Sequence, residues 1–203
     1  MLNKSKEKMQ KILLASLLCL SSLSASALDV VGVSVPEQVQ SGEQSLVLNG
    51  AGAKKMAGIF NVYVIALYLP EKKHSIDEIL AESVSKRLVL NFMYDGQSAQ
   101  LLDATRKLLV ENHSEEEFKK LDTGWKEFAM PFDTLKDIKK DDQMAFDFNP
   151  KTGIKMSMNG KEFGQVEAAG FMRAFLKVWL GNRPAQVDLK DKLLGLNATD
   201  VKQ

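Results

Sequence analysis

The chain has 203 residues, of which 45% are hydrophobic, 26% charged and 7% aromatic. That suits one globular domain with its own core and excludes a disordered tail, a collagen-like chain or a multi-span membrane protein. The formal net charge is +1, but residues 1–27 hold four of the 27 basic and one of the 26 acidic residues, so the remainder carries 23 and 25 and sits near −2. This balance lacks the concentrated Lys and Arg that nucleic-acid binders need, so no nucleic-acid partner is expected.

The first 27 residues read as a secretory signal. Lys4, Lys6, Lys8 and Lys11 form a positive start, Ile12 to Leu23 is apolar apart from serines and Cys19, and Ala25-Ser26-Ala27 offers a small-x-small cleavage site. A cut after Ala27 leaves residues 28–203 as one mature domain, periplasmic or fully exported. The apolar run falls short of the ~20 residues a span needs, so no transmembrane span is expected in the mature chain. Cys19 is the only cysteine, and Leu18 stands before it where a lipid-attachment box needs a small residue. The mature chain therefore has no disulfide, no cysteine nucleophile and no cysteine-held metal. His74 and His113 sit in polar surroundings and read as surface residues. No nucleotide, dinucleotide or zinc-protease motif is present, and no cofactor or metal is expected.

The elements follow in order. Asp29–Val35 is valine-rich and reads as a strand. Ser45–Leu48 is another, and Asn49-Gly50-Ala51-Gly52 then signals a turn. Ile59–Leu69 is a long β-branched and aromatic run, stopped by Pro70 and buried on much of both faces. Ser75 with Glu78 marks a capping box for a short helix over Ile76–Glu82. Lys86–Tyr94 alternates as a strand. The period then changes: Leu101, Leu102, Thr105, Leu108 and Leu109 recur at helical spacing between Ser98 and Asn112. Ser114 followed by Glu115, Glu116 and Glu117 starts a second helix that runs towards Phe128, with a kink expected at Gly124. Met144–Phe148, Gly153–Met158 and Lys161–Val166 are short strands, the last two joined by Asn159-Gly160, a hairpin signal. Ala168–Leu180 is an amphipathic helix ended by Gly181, and Val187–Leu194 is a last short helix ended by Gly195. Strands, helices, strands, helices make an α+β protein, with a large antiparallel sheet covered on one face.

Within this order, Leu48-Asn49-Gly50-Ala51-Gly52-Ala53-Lys54-Lys55 and Phe60-Asn61-Val62-Tyr63-Val64-Ile65-Ala66-Leu67-Tyr68-Leu69-Pro70 form one characteristic stretch. Phe175-Leu176-Lys177-Val178-Trp179-Leu180-Gly181, with Asp188-Leu189-Lys190 and Leu193-Leu194-Gly195, form a second. Together they resemble the chalcone isomerase superfamily, in its bacterial secreted chalcone-isomerase-like branch, over roughly residues 29–196. The resemblance implies an open-faced β-sandwich with a ligand cleft between sheet and helices.

The plant enzyme of that superfamily aims an arginine, two threonines, a tyrosine and an asparagine at its substrate. By the resemblance, the arginine position falls on Lys54, with Lys55 beside it. The two threonine positions fall on Tyr63 and Val178. One register places Asn112 in the asparagine position and Thr105 in the tyrosine position; another places neither residue type there. Lysine keeps the charge but loses the planar fork, and valine cannot donate a hydrogen bond. Loss of positioned polar groups removes transition-state stabilisation, so chalcone isomerase activity is not expected. Three functions remain open. The first is a non-catalytic binding protein for a small apolar or carboxylate-bearing ligand such as a fatty acid, held by Lys54, Lys55, Tyr63, Thr105, Asn112 and Val178. The second is an isomerase or lyase on another small molecule. The third is an envelope structural or interaction protein without a ligand. Tyr63 and Tyr68, five apart on one strand, are expected on opposite faces. Trp125, Phe128, Met130 and Phe132 are expected to pack in the core. The oligomeric state is not readable.

Overall fold

The computed structural model describes residues 26–196, so nearly all of the signal segment lies outside the described residues. The chain begins with β1 (Ala27–Val30) and β2 (Val33–Pro36), followed by β3 (Gln38–Ser41), β4 (Gln44–Met56) and β5 (Phe60–Leu69). Helix α1 (Ile76–Leu80) and β6 (Lys86–Phe92) come next, then β7 (Gly96–Gln97), α2 (Ser98–Glu111), α3 (Glu115–Lys120) and α4 (Asp122–Ala129). A 3-10 turn (Met130–Thr134) and β8 (Asp137–Ile138) lead to β9 (Gln143–Asn149), β10 (Gly153–Met158) and β11 (Lys161–Val166). The chain closes with α5 (Phe171–Leu180) and α6 (Val187–Leu193). The main sheet has seven strands in the order β11-β10-β9-β6-β5-β4-β3, every neighbouring pair antiparallel. The expected α+β architecture is present.

Alternation along β5 divides the interior. Tyr63, Ile65, Leu67 and Leu69 join the large cluster beneath the helices, while Val64, Ala66 and Tyr68 join a smaller cluster on the opposite face. The two tyrosines therefore do face apart. The β1–β2 hairpin lies over that second face, with Val35 buried and Val30 and Val33 packed against it. The expected single strand over Asp29–Val35 is in fact this hairpin. Val31 and Gly32 take positive φ (49° and 86°), and Asp29 accepts a hydrogen bond from Gly32 N–H at 3.2 Å.

The expected turn at Asn49–Gly52 is also absent, because β4 continues through it with a bulge at Asn49. These glycines clear space for a helix. A Cβ at Gly50 would overlap the Lys192 carbonyl oxygen, and one at Gly52 would lie 2.8 Å from Leu189 Cδ1 and 2.9 Å from Lys192 Cδ. Helix α6 thus rests directly on the β4 backbone. Buried Asn49 ties the region together: its Nδ2 donates to Leu193 C=O (2.8 Å) and its Oδ1 accepts from Lys73 N–H (2.7 Å).

The helix after Ser114 has its capping box: Glu117 N–H donates to Ser114 Oγ (3.2 Å), and Ser114 N–H donates to Glu117 Oε2 (2.8 Å). The break falls at Leu121 and not at Gly124, which is helical and lies beneath Phe171, 2.7 Å from where a Cβ would be. At Ser75 the side chain makes no cap bond, and Glu78 instead pairs with Lys73 at 3.2 Å. Helix α5 is buried along its length except at Arg173 and Lys177. Phe128 lies 4.9 Å from Phe175 and 5.7 Å from Phe171, ring centre to ring centre, so α4, α5 and the sheet share one aromatic core. Met130, expected in that core, is exposed in the 3-10 turn.

Lys86 is fully buried, and its ammonium donates to Ala81 C=O and Val84 C=O, each at 2.8 Å. Desolvation lowers its pKa from 10.5 to about 8, against a smaller opposing effect of Glu82.

Two predictions follow from this packing. Gly50→Ala should destabilise the protein by about 3 kcal/mol, since α6 must lift off β4; chemical denaturation measures it. Between pH 8 and 10.5 the unfolded chain holds the Lys86 proton more tightly than the folded one, so stability rises with pH. The stability of the wild type relative to Lys86→Met should therefore increase by on the order of 3 kcal/mol across that window. A pH-independent difference would show that the buried amine is not depressed.

Candidate functional site

The open end of the β4–β5 hairpin carries the lysines. Lys54 is the ladder partner of Tyr63, and the register then shifts so that Lys55 pairs with Asn61, leaving Val62 as the extra residue on β5. Such a bulge re-aims side chains at a sheet end. Lys54 shares the helix-covered face with Tyr63. Its ammonium donates to Lys55 C=O (2.8 Å), and partial burial lowers its pKa against the raising effect of Asp188 at the start of α6. Lys55 is exposed. Gln186 fixes this corner: its Oε1 accepts from Lys55 N–H (2.8 Å), and its Nε2 donates to Ala53 C=O (3.3 Å). The Asn61 side-chain oxygen is buried with no hydrogen-bond partner among the described residues. An unsatisfied buried acceptor is costly, and it invites a donor.

Behind Lys54 the interior is filled. The Tyr63 hydroxyl accepts from Trp179 Nε1 at 3.0 Å, the Tyr63 ring meets Phe92 edge-on at 6.1 Å, and Trp179 meets Phe175 edge-on at 5.2 Å. Burial pushes the Tyr63 phenol up to about 12. It therefore stays protonated at neutral pH and is poorly matched to acid–base work there. Val178 is buried one residue before Trp179, offering only apolar surface, and its C=O accepts from Ala185 N–H at 2.8 Å.

The other two expected ligand residues are engaged locally. Thr105 Oγ1 donates to Leu101 C=O within α2 (2.8 Å). Asn112 Nδ2 donates to Leu108 C=O (2.9 Å) and Arg183 C=O (2.7 Å), while its Oδ1 accepts from Arg183 N–H (2.9 Å). Asn112 thus staples the end of α2 to the loop after α5. Gly181 has no room there for a Cβ, which would overlap the Asn112 side chain. The structure therefore joins Lys54 to Tyr63 across the ladder, and Tyr63 to the Val178 segment through Trp179. It turns the Thr105 hydroxyl back into its own helix and spends the Asn112 amide on the end of α2 and the loop after α5.

Sequence reasoning missed Asn61, Gln186 and the Trp179 bond. Only the bulge and the docking of α6 bring them to this corner, and no local motif announces either. The histidines serve the backbone: His74 Nδ1 meets Leu194 C=O at 2.7 Å and His113 Nδ1 meets Leu109 C=O at 2.8 Å. Among the described residues, no three His, Cys, Asp or Glu side chains gather as a metal site. The expected cleft between sheet and helices is occupied by the aromatic side chains. Concavities lie elsewhere. A groove of about 1210 Å³ at the far end of the sheet runs past Gly42, Pro70 and Pro150, and one of about 280 Å³ lies between Ser98 and Phe132. Neither is lined by Lys54 or Tyr63.

These features meet known proteins at one family. The chalcone isomerase-like family model matches residues 27–195, and the chain belongs to that family. A crystal structure of a fatty-acid-binding protein of Arabidopsis thaliana, AtFAP1, has the same fold. It superposes with a TM-score of 0.66 at 15% identity, over 80% of this chain and 92% of that one. No curated protein sequence matches. No helix among the described residues is long and apolar enough to cross a membrane.

Tyr63→Phe should strand the Trp179 N–H in the core and cost about 1–3 kcal/mol. Urea denaturation followed by Trp fluorescence measures it. An unchanged midpoint would mean that the bond contributes nothing.

Proposed function

We propose that this is a secreted, non-catalytic binding protein for a small amphipath with an acidic head group, such as a fatty acid. Lys54 and Lys55 supply the positive charge, and the Asn61 carboxamide accepts from a head-group hydroxyl or protonated carboxyl. The observation that carries the reading is the corner itself: two lysines at a β-bulge beside a buried acceptor that has no partner among the described residues. The tied-up state of Tyr63, Thr105 and Asn112 weighs against catalysis, since none has an adjacent base to activate it. The fatty-acid-binding function of the Arabidopsis protein is consistent with this reading. Secretion rests on the Lys-rich start, the apolar run and Ala25-Ser26-Ala27. N-terminal sequencing of the exported chain should give Leu28 as its first residue.

A dansylated fatty acid titrated into the mature chain should bind. Lys54→Ala and Lys55→Ala should each weaken it by about tenfold, the worth of one charge-assisted hydrogen bond. Absence of uptake would sink the reading. The filled space between sheet and helices would then favour a second one, an envelope interaction protein that holds no small ligand.

A further inference from the structure

The turn joining β4 to β5 exposes residues that turns seldom expose. Met56, Ile59 and Phe60 are 60%, 74% and 52% exposed, and Ala57 and Gly58 lie between them, so no polar side chain occupies the tip. The turn is tight and its shape is fixed: Ile59 N–H donates to Met56 C=O at 3.1 Å, with Ala57 at φ 49° and Gly58 at φ 73°. Asn-Gly usually serves such a turn, as Asn159-Gly160 does between β10 and β11. Here an alanine holds the left-handed conformation instead, which costs strain.

More apolar surface lies at the same end. Tyr94, 57% exposed, leaves β6 beside the start of β5, because Met93 N–H donates to Val62 C=O at 3.0 Å. Val187, 69% exposed, follows Gln186, which holds the Lys55 N–H. Lys54 and Lys55 stand immediately behind this tip. Asp188 pairs with Lys192 (3.4 Å) and also acts on Lys54, while Asp95 and Asp137 share Lys139 (3.8 and 3.6 Å). Lys55 makes no ion pair among the described residues, so it leaves an uncompensated positive charge behind the tip.

We propose that this hairpin tip docks the protein on an anionic lipid bilayer. Met56, Ile59 and Phe60 enter the boundary between headgroups and acyl chains, and Lys54 and Lys55 meet anionic headgroups. A protruding turn offers a folded protein little to grip, and a few side chains fall well below the roughly 800 Å² per partner of a stable protein interface. A bilayer needs no matching groove. Apolar side chains with lysines behind them, and a tyrosine at the level between, suit its chemical layers. This inference goes beyond the ligand reading and does not depend on it.

The test is co-flotation of the mature chain with vesicles of mixed phosphatidylethanolamine and phosphatidylglycerol, against vesicles of phosphatidylcholine alone. Binding to the anionic vesicles, weakened by salt, is expected. The double variant Ile59→Ser with Phe60→Ser should lose at least about tenfold in vesicle affinity, with an unchanged melting temperature. Emission of a Phe60→Trp variant should shift to the blue when anionic vesicles are added. The proposal is overturned if the wild type does not float, or if the double variant floats as well as the wild type. It is also overturned if the wild type is a dimer that the double variant makes monomeric, because a second copy would then cover the tip.

Discussion

The molecule depends on the contact of α6 with the backbone of β4. A helix reaches a strand this closely only where the strand has no side chains in the way, and Gly50 and Gly52 provide that strip. Asn49 then bonds both to the end of α6 and to the chain leaving β5. The last helix of the chain is thereby locked onto a strand from its first third. This contact carries Gln186 and Asp188 to the lysine corner, so the candidate site exists only when the chain's two ends have met.

The aromatic layer between sheet and helices is the second constraint. Phe128, Phe146, Phe175 and Trp179 fill the space between sheet and helices. The Tyr63 hydroxyl accepts from Trp179 Nε1, and desolvation in this layer outweighs that bond and raises its pKa. Buried polar groups that are already satisfied rigidify a core and have little left for chemistry. Among the described residues, the β4–β5 end of the sheet holds the buried Asn61 oxygen without a partner, the exposed Lys55 and the apolar turn beyond them. The proposed ligand head group and the proposed lipid surface would therefore both meet the β4–β5 end of the sheet and not its interior.

Much of this was legible in the sequence, for reasons that differ between elements. The strand over β5 was readable because a long β-branched run stopped by proline has few alternatives. The β10–β11 hairpin was readable because Asn-Gly fits a turn with two positive φ angles, and the start of α3 because its capping box is complete within four residues. The errors at three glycines share one cause. Gly50, Gly52 and Gly124 looked like breakers of local structure, yet each is small because another element presses on it. The Gly32 turn was missed because valine precedes it where a polar residue is usual. Lys54, Lys55 and Tyr63 were singled out through the family resemblance. Asn61 was not, because its significance lies in a missing partner, which no sequence pattern records.

The sequence by itself determined the class of the fold, the alternation that puts Tyr63 and Tyr68 on opposite faces, and the absence of cysteine chemistry after Cys19. These rest on local periodicity and on which atoms are present at all. Only the tertiary structure decided that the glycine motif is a seat for a helix, that Asn112 spends its hydrogen bonds joining α2 to the loop after α5, and that the interior is filled. Each of these depends on which groups compete for the same space and the same donors, and that competition is settled only when distant parts of the chain pack together.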